Sequence, residues 1–518
     1  MVPLTVILLY VAIASFLIYT FKNKKPLKWS EIANAIPFYQ YIVKIDSEDT
    51  FKIPGPLRLP FIGTKWQNIK MNKLHEYYES LNNLYGDVVL EVCSNNVPVI
   101  SLFNKNDIEK VLHFNSAYPF RPPTEILSYY RKSRPDRYAS LGLINEQGPE
   151  WGRLRAKMTP KTLESRKVLS SFCSDFNELS DEFINVIKLK RNEENIVKNF
   201  EETMKLMSIE AACALILGRK MGYLADSHDH LDNNSKELMI AVKNIFGVIR
   251  DSYYGNGMWK YFPTKLYSKY IEYEDKIYDI ITGIINETLH DHEFMALDSD
   301  NMSILAMILK ADGLDMKDKI SGVIDFLTAS QVLSHTMIFL LHFLSEKPEV
   351  QEKIYQETLP YIKTLSYENI KKFHYTRAAI LESLRISPTA FSVARILEQD
   401  FNFSGYHVKA GNIVLLQNMV ACNKDENFEN AKTFNPDRWL NENGEFNINQ
   451  CSASPIVIPF GYGKRACPGK KFSEMEMTIL TVKLIHSYKI EYHSTFEKQF
   501  EFLVVPKDPV DIKFTNRF

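Results

Sequence analysis

The run of residues Phe460–Gly469 is the feature that constrains this chain most. Its sequence, Phe-Gly-Tyr-Gly-Lys-Arg-Ala-Cys-Pro-Gly, holds one cysteine between glycines, and a helical pattern begins directly after it. Glycine lets the backbone make tight turns and close approaches that a side chain would block. Backbone N–H groups at the start of a helix stabilise a thiolate. The stretch therefore predicts a loop that presents Cys467 as a thiolate to a flat, bulky partner.

Haem iron bound by a cysteine thiolate fits this loop. Such a ligand pushes electron density towards the iron and favours cleavage of an O–O bond. A buried cysteine in a surface turn is the simpler interpretation of one thiol, but the full pattern is much rarer than its parts. We therefore interpret Cys467 as the iron ligand, with Phe460, Arg465 and Gly469 as cofactor-binding neighbours.

This decapeptide resembles the haem-binding loop of the cytochrome P450 family at every position. The resemblance implies a single large haem-binding domain that is mainly α-helical with a small β portion. It also implies haem b as the cofactor, whose iron the Cys467 thiolate binds. The implied activity is that of a monooxygenase that uses O2 and NADPH-derived electrons delivered by a redox partner.

Hydrophobic periodicity predicts the same fold class independently. Long amphipathic helical patterns run from about residue 160 to 390, and short strand-like runs flank them. Helices are predicted over 74–84, 168–189, 200–217, 238–254 and 266–289. Strands are predicted over 87–92, 98–102, 393–398, 406–408 and 413–416.

Charge and cysteine usage exclude several other classes of protein. The 518 residues carry a net charge of -1, which gives no basic surface for nucleic acid. The six cysteines are irregularly spaced and include no CxxC pair, so they predict neither a disulfide framework nor a zinc site. A reducing compartment is the simplest inference.

The N-terminus predicts a membrane anchor. Residues 1–21 contain no charged side chain and are rich in Leu, Ile and Val, and lysines follow directly at 22, 24 and 25. About 20 apolar residues can span a bilayer as a helix, and the lysines behind them predict that the body stays in the cytosol. Residues 22–52 are predicted to be a linker before the catalytic domain at 53–518.

Trp151 and Arg155 stand four residues apart on a predicted helix, so both side chains lie on one face. An indole N–H and a guanidinium there can hold a carboxylate such as a haem propionate. An ordinary amphipathic helix would show the same spacing, but the family places such a pair here. Arg395 and Arg465 are further propionate candidates.

Glu382 and Arg385 form an E-x-x-R pair on another predicted helix. A surface ion pair of little value is the simpler interpretation. In the family this pair is buried and completed by an arginine from a later loop, which here is Arg438. The resemblance therefore implies a structural network that fixes the loop presenting Cys467.

The helix that activates oxygen departs from the family pattern of a small residue, Gly, any residue, an acid and Thr. Ser330 stands at the glycine position, and Val332 and Leu333 stand at the acid and threonine positions. Ser330, Gln331 or Ser334 could pass protons through water, and we take Ser330 and Ser334 as candidate catalytic residues. A one-residue loss or an error in the gene prediction would also explain the departure.

The departure also keeps two other functions open. One is a haem-thiolate isomerase or dehydratase that rearranges an oxygenated substrate without a reductase. The other is a haem- or sterol-binding protein that has lost turnover.

Several further stretches resemble the mitochondrial-type clan of the family, and within it insect enzymes that hydroxylate ecdysone at carbon 20. The resemblance implies a lipophilic steroid substrate. The stretches are 118–125, 133–140, 251–255, 259–265, 388–391, 417–419 and 500–503.

The electron donor follows from the same resemblance. Mitochondrial-type members take electrons from a small acidic ferredoxin through basic residues on the E-x-x-R helix. Arg377 keeps one such charge, whereas Leu381 does not, and Lys464, Lys470 and Lys471 add positive charge near the cysteine. A ferredoxin-type donor is favoured, with cytochrome P450 reductase as the alternative. The resemblance favours the mitochondrion, whereas the apolar anchor favours the endoplasmic reticulum.

Overall fold

The computed structural model describes residues 50–57, 64, 71–92, 97–225, 231–254, 258–290, 303–507 and 509–518. The predicted anchor at 1–21 and most of the predicted linker at 22–52 lie outside these residues. Thr50–Lys52 form a 3-10 turn in which Thr50 is buried, and Ile53 is buried beside it. The folded domain thus includes the last residues of the segment interpreted as a linker.

The fold is mainly α-helical, as the sequence predicted. Most of the long helices bury one apolar face and expose a polar one, which is the pattern expected of helices around a shared core. The helices are α1 Leu74–Tyr85, α2 Lys105–Leu112, α3 Glu125–Ser133, α4 Gly142–Asn145, α5 Gly148–Met158, α6 Arg166–Lys190, α7 Phe200–Leu217, α8 Asn233–Tyr254, α9 Lys265–His290, α10 Ile304–Lys310, α11 Met316–Thr328, α12 Gln331–Glu346, α13 Pro348–Thr358, α14 Tyr367–Ile370, α15 His374–Ile386, α16 Asn418–Cys422 and α17 Lys470–Ser487.

The predicted helix bounds agree with these within two residues, except for α8. That helix begins at Asn233, five residues before the predicted start. Asp232 sets the earlier start, because its carboxylate accepts a hydrogen bond from the backbone N–H of Ser235 at 2.8 Å. A capping side chain of this kind lets polar residues open a helix before its apolar pattern begins.

The β portion consists of short strands in four small sheets. The strands are β1 Val88–Val92, β2 Pro98–Leu102, β3 Ile196–Val197, β4 Val393–Ile396, β5 Phe401–Phe403, β6 Tyr406–Val408, β7 Ile413–Leu416, β8 Tyr488–Tyr492, β9 Lys498–Glu501, β10 Leu503–Pro506 and β11 Ile512–Asn516. The largest sheet has the order β1-β2-β7-β4, in which β2 and β7 are parallel and the other pairs are antiparallel.

The hydrophobic core has a large helical part and a smaller part between α1 and the four-stranded sheet. Phe183, Ile281 and Leu341 are fully buried in the helical part. Tyr78 and Phe391 contact each other in the smaller part, with ring centroids 5.6 Å apart. Side chains from both parts line one cavity, where the candidate site lies.

Helices α11 and α12 form a nearly continuous rod through the middle of the domain. Within the described part of the chain, Met316–Glu346 is the stretch long and apolar enough to cross a membrane. Most of it is buried inside the domain, which identifies it as a core helix. The rod is interrupted at Ala329 and Ser330, beside the cavity.

A buried charge network ties α3, α9 and α11 together over the cavity. The guanidinium of Arg131 lies 2.7 Å from the carboxylate of Asp325 and 3.5 Å from that of Glu274. All three side chains are almost fully buried. Gly142 packs directly against this network with a φ of +78°. A side chain at Gly142 would therefore collide with the charges that hold the three helices together.

We expect Gly142→Ala to lower the free energy of unfolding by about 3 kcal/mol or more, because it disrupts a buried ion pair. The added Cβ would lie 2.0 Å from Arg131 Nη1 and 2.6 Å from Asp325 Oδ2. Urea titration measures the loss. Gly444→Ala is the matched control, since Gly444 has a φ of +75° and a Cβ added there would meet no other atom within 4 Å. It should cost only the backbone strain, about 1–2 kcal/mol. Equal losses in both variants would contradict this account.

Candidate active site

A single cavity of about 1470 Å³ lies between the sheet, the α11–α12 rod and the 460–469 loop. Pockets for one small molecule usually measure about 300–1,000 Å³. The cavity thus has room for a large cofactor together with a substrate. The predicted site residues that line it are Trp151, Arg155, Ser330, Arg395, Phe460, Arg465, Cys467 and Gly469. Ser334, Glu382, Arg385 and Arg438 do not line it.

The loop before α17 is folded on itself by backbone hydrogen bonds. The N–H of Cys467 donates to the carbonyl of Phe460 at 2.8 Å, which closes the loop. Gly461 and Gly463 have φ angles of +72° and +68°, in the left-handed region that favours glycine. Gly469 stands directly before α17, and a Cβ there would lie 3.8 Å from the Cys467 sulfur. The sequence therefore places the thiol at a fixed point at the start of a helix.

Cys467 differs from the other described cysteines in its surroundings. Cys173, Cys213 and Cys422 are buried in the core, where burial raises the pKa of each thiol and keeps it protonated. Cys467 is open to the cavity. Burial raises its pKa too, but the backbone N–H of Gly469 and the charge of Arg155 act in the opposite direction.

Three predicted propionate ligands form a cluster of positive charge at this end of the cavity. Burial, together with the nearby guanidiniums of Arg121, Arg395 and Arg155, lowers the pKa of Arg465 to about 9. Burial and Arg121 lower the pKa of Arg395 to about 10. Burial also lowers the pKa of Arg155. Burial is the largest cause of all three shifts, and mutual repulsion among the guanidiniums adds to it for Arg465 and Arg395.

The hydrogen bonds of the cluster go mostly to backbone carbonyls. Arg155 donates to Ala466 at 3.0 Å, and Arg465 donates to Pro119 at 2.9 Å. Within the described ranges, neither of them forms an ion pair with a carboxylate, and nor does Arg395. Trp151 packs against the cluster, because the Arg465 guanidinium lies over its indole ring, 3.8 Å from the ring centroid.

These residues fit a haem. A haem carries two propionates, and burying them requires cationic partners such as this cluster. A thiol open to the cavity stands on the same side, and thiolate is a ligand of haem iron. The remaining walls are largely apolar, as the porphyrin faces and a lipophilic substrate require.

The E-x-x-R network lies behind the cavity wall, and the structure brings its predicted members together. The carboxylate of Glu382 accepts hydrogen bonds from Arg385 at 2.8 and 2.9 Å and from Arg438 at 2.8 Å. It also accepts from the indole of Trp439 at 2.9 Å and from the backbone of Asn435 at 3.1 Å. The sequence did not predict these last two donors.

Arg385 extends the network to the segment that follows α16. It donates to the carbonyls of Cys422 and Ala431 at 2.6 and 2.7 Å. Glu382 and Arg385 have no measurable side-chain exposure. The network therefore fixes the irregular chain between α16 and Trp439 to helix α15.

The interruption between α11 and α12 opens the helix at the cavity. Ser330 N–H donates to Leu327, and Leu333 N–H donates to Ser330, both at 3.2 Å and both over three residues instead of four. Such tightened turns within a helix often mark functional positions. The hydroxyl of Ser330 is buried there and makes no hydrogen bond to the described residues.

The other hydroxyls of this region are already satisfied. Thr328 and Thr336 also line the cavity, but each donates to the carbonyl four residues earlier at 2.9 Å. The hydroxyl of Ser334 is fully buried and donates to Gln331 at 2.7 Å. Ser330 therefore lines the cavity with its hydroxyl oxygen buried at the break in the rod, whereas Ser334 does not line it. Burial lowers the pKa of His335 to about 3, which leaves it a neutral, packed side chain.

Two polar groups at the cavity escaped the sequence analysis. One is the Arg131, Glu274 and Asp325 network, whose members are far apart in the chain. The other is Glu91, a lone acid in the otherwise apolar strand β1, which lines the cavity and accepts a hydrogen bond from Tyr77. Glu91 could have been recognised from the sequence, because it is an acid within an otherwise apolar strand.

Comparison with known proteins identifies the class of protein to which this site belongs. The cytochrome P450 family model matches residues 53–514. The chain therefore belongs to the cytochrome P450 family. It is 46% identical over 480 residues to "Ecdysone 20-monooxygenase" of Drosophila melanogaster, covering 90% of this chain and 88% of the relative. It is 30% identical to "Cytochrome P450 302a1, mitochondrial" of the same species, covering 85% and 89%. It is 28% identical to "Probable cytochrome P450 12c1, mitochondrial", covering 92% and 94%.

Membership of the family makes this chain a haem-thiolate monooxygenase that takes a lipophilic substrate and receives electrons from a redox partner. When bound, haem supplies the site at which O2 is activated.

We expect Glu382→Ala to lower the free energy of unfolding by about 3–5 kcal/mol, because it leaves Arg385 as a buried charge without its carboxylate. As the stability falls, a smaller fraction of the protein should show the carbon monoxide difference spectrum of a thiolate-ligated haem. Urea titration and that spectrum are the two measurements.

Asp437→Ala is the matched control, since Asp437 lies in the same segment but pairs with Lys353 at 3.3 Å on the surface. Its loss should be at most about 1 kcal/mol. A Glu382→Ala variant as stable as the control would show that the network does not hold the domain together.

Proposed function

We propose that this enzyme hydroxylates ecdysone at carbon 20 to give 20-hydroxyecdysone. The observation that carries the proposal is the 46% identity, over 90% of the chain, to a relative whose name states that activity. The cavity supports it, because its volume and apolar walls suit a steroid beside a haem. The similarity to a monooxygenase also argues against the isomerase and the turnover-deficient binding protein.

Cys467 is the iron ligand in this proposal. It is the cysteine among the described residues that lines the cavity, and it is held at the start of α17. The two propionates are held by Arg155, Arg395 and Arg465. The indole ring of Trp151 packs against the Arg465 guanidinium. Binding of these two carboxylates offsets the mutual repulsion of the guanidiniums.

Ser330 is the residue that delivers protons to the reaction. Its buried hydroxyl has no hydrogen-bond partner in the described part of the chain and stands where the α11–α12 rod opens to the cavity. A hydroxyl can both donate and accept, so Ser330 could pass a proton from a water into the cavity. This assigns to Ser330 the task that the acid and threonine perform in the usual family pattern.

A ferredoxin-type protein is the electron donor. Arg377, Lys464, Lys470 and Lys471 are all exposed, on or near the loop of Cys467 and helix α15. Two acids partly offset them, since Lys470 lies 3.8 Å from Glu474 and Lys471 lies 2.6 Å from Glu164. A surplus of positive charge on this face steers an acidic partner to the side of the domain that carries the thiolate.

The enzyme is associated with a mitochondrial membrane. Two relatives carry "mitochondrial" in their names. A surface for this contact lies between α8 and α9, where Tyr261 and Phe262 are 76% and 59% exposed. Aromatic side chains are enriched where proteins meet the polar surface of a bilayer.

Turnover of ecdysone is the decisive test of the function. We expect the haem-loaded enzyme, given NADPH and a ferredoxin with its reductase, to yield a product one oxygen heavier, identified by mass spectrometry as 20-hydroxyecdysone. Product with cytochrome P450 reductase alone would instead identify the other donor. Product without any reductase would favour the isomerase, and tight binding without product would favour the binding protein.

Cys467→Ala is the matched variant for this test. It should lose both the carbon monoxide difference spectrum of thiolate ligation and all hydroxylation, because no other described cysteine reaches the cavity. Retained 20-hydroxylation in this variant would refute the assignment of the ligand. Cys173→Ala, in a core thiol away from the cavity, is expected to keep both properties.

Ser330→Ala should lower kcat on the order of 100-fold, the lower end of what acid–base groups contribute. NADPH consumption should fall much less, so that the ratio of NADPH consumed to product formed rises. Ser345→Ala is the control, because that hydroxyl donates within its own helix at 2.7 Å and lies away from the cavity. It should stay within about a factor of two of the wild type. An unchanged ratio in Ser330→Ala would exclude Ser330 from proton delivery.

A further inference from the structure

A buried carboxyl group stands on strand β1 at the wall of the cavity. Glu91 is 7% exposed, and the hydroxyl of Tyr77 donates to its carboxylate at 2.9 Å. No lysine or arginine of the described residues pairs with it. Burial raises its pKa to about 7. A carboxyl in such a place loses its hydration and regains only one hydrogen bond from the protein.

Two other buried acids of this fold hold the chain together. Glu210 accepts hydrogen bonds from three successive backbone N–H groups, at residues 221 to 223. Glu382 accepts from four different residues, as described above. Glu91 has no such set of partners. Its position in the strand would be filled equally well by an apolar residue, so the fold alone does not explain the acid.

The register of the sheet relates Glu91 to the haem end of the cavity. Glu91 lies opposite Val99 on β2, and the same row continues to β7 and β4. The row consists of Glu91, Val99, Ile413 and Ile396, all of which line the cavity. Three strand spacings, or roughly 14 Å, separate Glu91 from Ile396. Ile396 is the neighbour of Arg395, so the row is an apolar wall that begins near the propionate cluster and ends in a carboxyl group.

We propose that Glu91, oriented by Tyr77, binds the hydroxyl group that ecdysone carries at carbon 2 of its ring system. The inference rests on the proposed function. Hydroxylation at carbon 20 requires the side chain of the steroid to lie at the Cys467 end, which directs the rings away from it. An elongated ring system along the apolar row brings its far end to Glu91. Ecdysone carries ring hydroxyls there, and a carboxyl group hydrogen-bonds them.

A second polar wall offers the competing placement. Tyr270 and Trp259 line the cavity, and the hydroxyl of one and the indole N–H of the other have no hydrogen-bond partner in the described ranges. Glu91 is favoured over them for two reasons. Its burial is the more costly, and Tyr77 already fixes its orientation.

Binding titrations on the haem-loaded enzyme test the proposal. The spectral change on adding steroid gives Kd for ecdysone and for 2-deoxyecdysone, which lacks one ring hydroxyl. We expect Glu91→Leu to weaken ecdysone binding about 10-fold or more, the value of a hydrogen bond to a charged group. In the same variant, the binding of 2-deoxyecdysone should weaken by about threefold at most. Tyr77→Phe should also weaken ecdysone binding more than 2-deoxyecdysone binding, by a smaller factor. If Glu91→Leu does not fold, Tyr77→Phe alone tests the proposal.

Glu79→Gln is the matched control, because Glu79 is an exposed acid on the same helix as Tyr77 and pairs with Lys432 at 3.1 Å. It should bind both steroids like the wild type. Equal weakening of both steroids in Glu91→Leu, or weakening of neither, would overturn the proposal. A selective loss of ecdysone binding in Tyr270→Phe alone would place the ring hydroxyl on the other wall and overturn it too. The proposed function fails separately, through absence of product from the wild-type enzyme.

Discussion

The carboxylate of Glu382 is the interaction on which the rest of the domain depends. It is fully buried, and it accepts from two guanidiniums, an indole and a backbone N–H. One donor lies on α15 itself and the other three lie within residues 435–439, so one acid fixes that later segment to the helix. The loop of Cys467 follows that segment. The geometry of the thiol is therefore set partly by a charge that never touches the cavity.

The site combines two kinds of polar burial with opposite consequences. In the Arg131, Glu274 and Asp325 network, charges of both signs meet and hold helices over the cavity. In the cluster of Arg155, Arg395 and Arg465, charges of one sign meet, and the proposed haem propionates would supply the other. The first kind stabilises the chain by itself, whereas the second stabilises only the loaded enzyme. The sign of each cluster thus separates structural residues from cofactor-binding ones.

Local motifs made much of the fold class and of the candidate site predictable. The loop around Cys467 and the E-x-x-R pair each span only a few residues. Their geometry could therefore be predicted from the spacing of those residues. Trp439 and Asn435 were missed because their donors reach Glu382 only through tertiary folding. Ser330 and Ser334 could be distinguished only by the break in the helix, and no residue pattern predicted that break. Glu91 was visible as an anomaly in β1, but its partner Tyr77 comes from another element.

The cluster of Arg155, Arg395 and Arg465 has a consequence for the life of the protein in the cell. A ligand that binds only the folded state shifts the folding equilibrium towards it, by an amount that grows with the ligand's concentration. Here the ligand also removes a repulsion built into the folded chain. Binding of haem by this cluster would therefore shift the enzyme towards its folded state, and the folded fraction would rise with the concentration of haem.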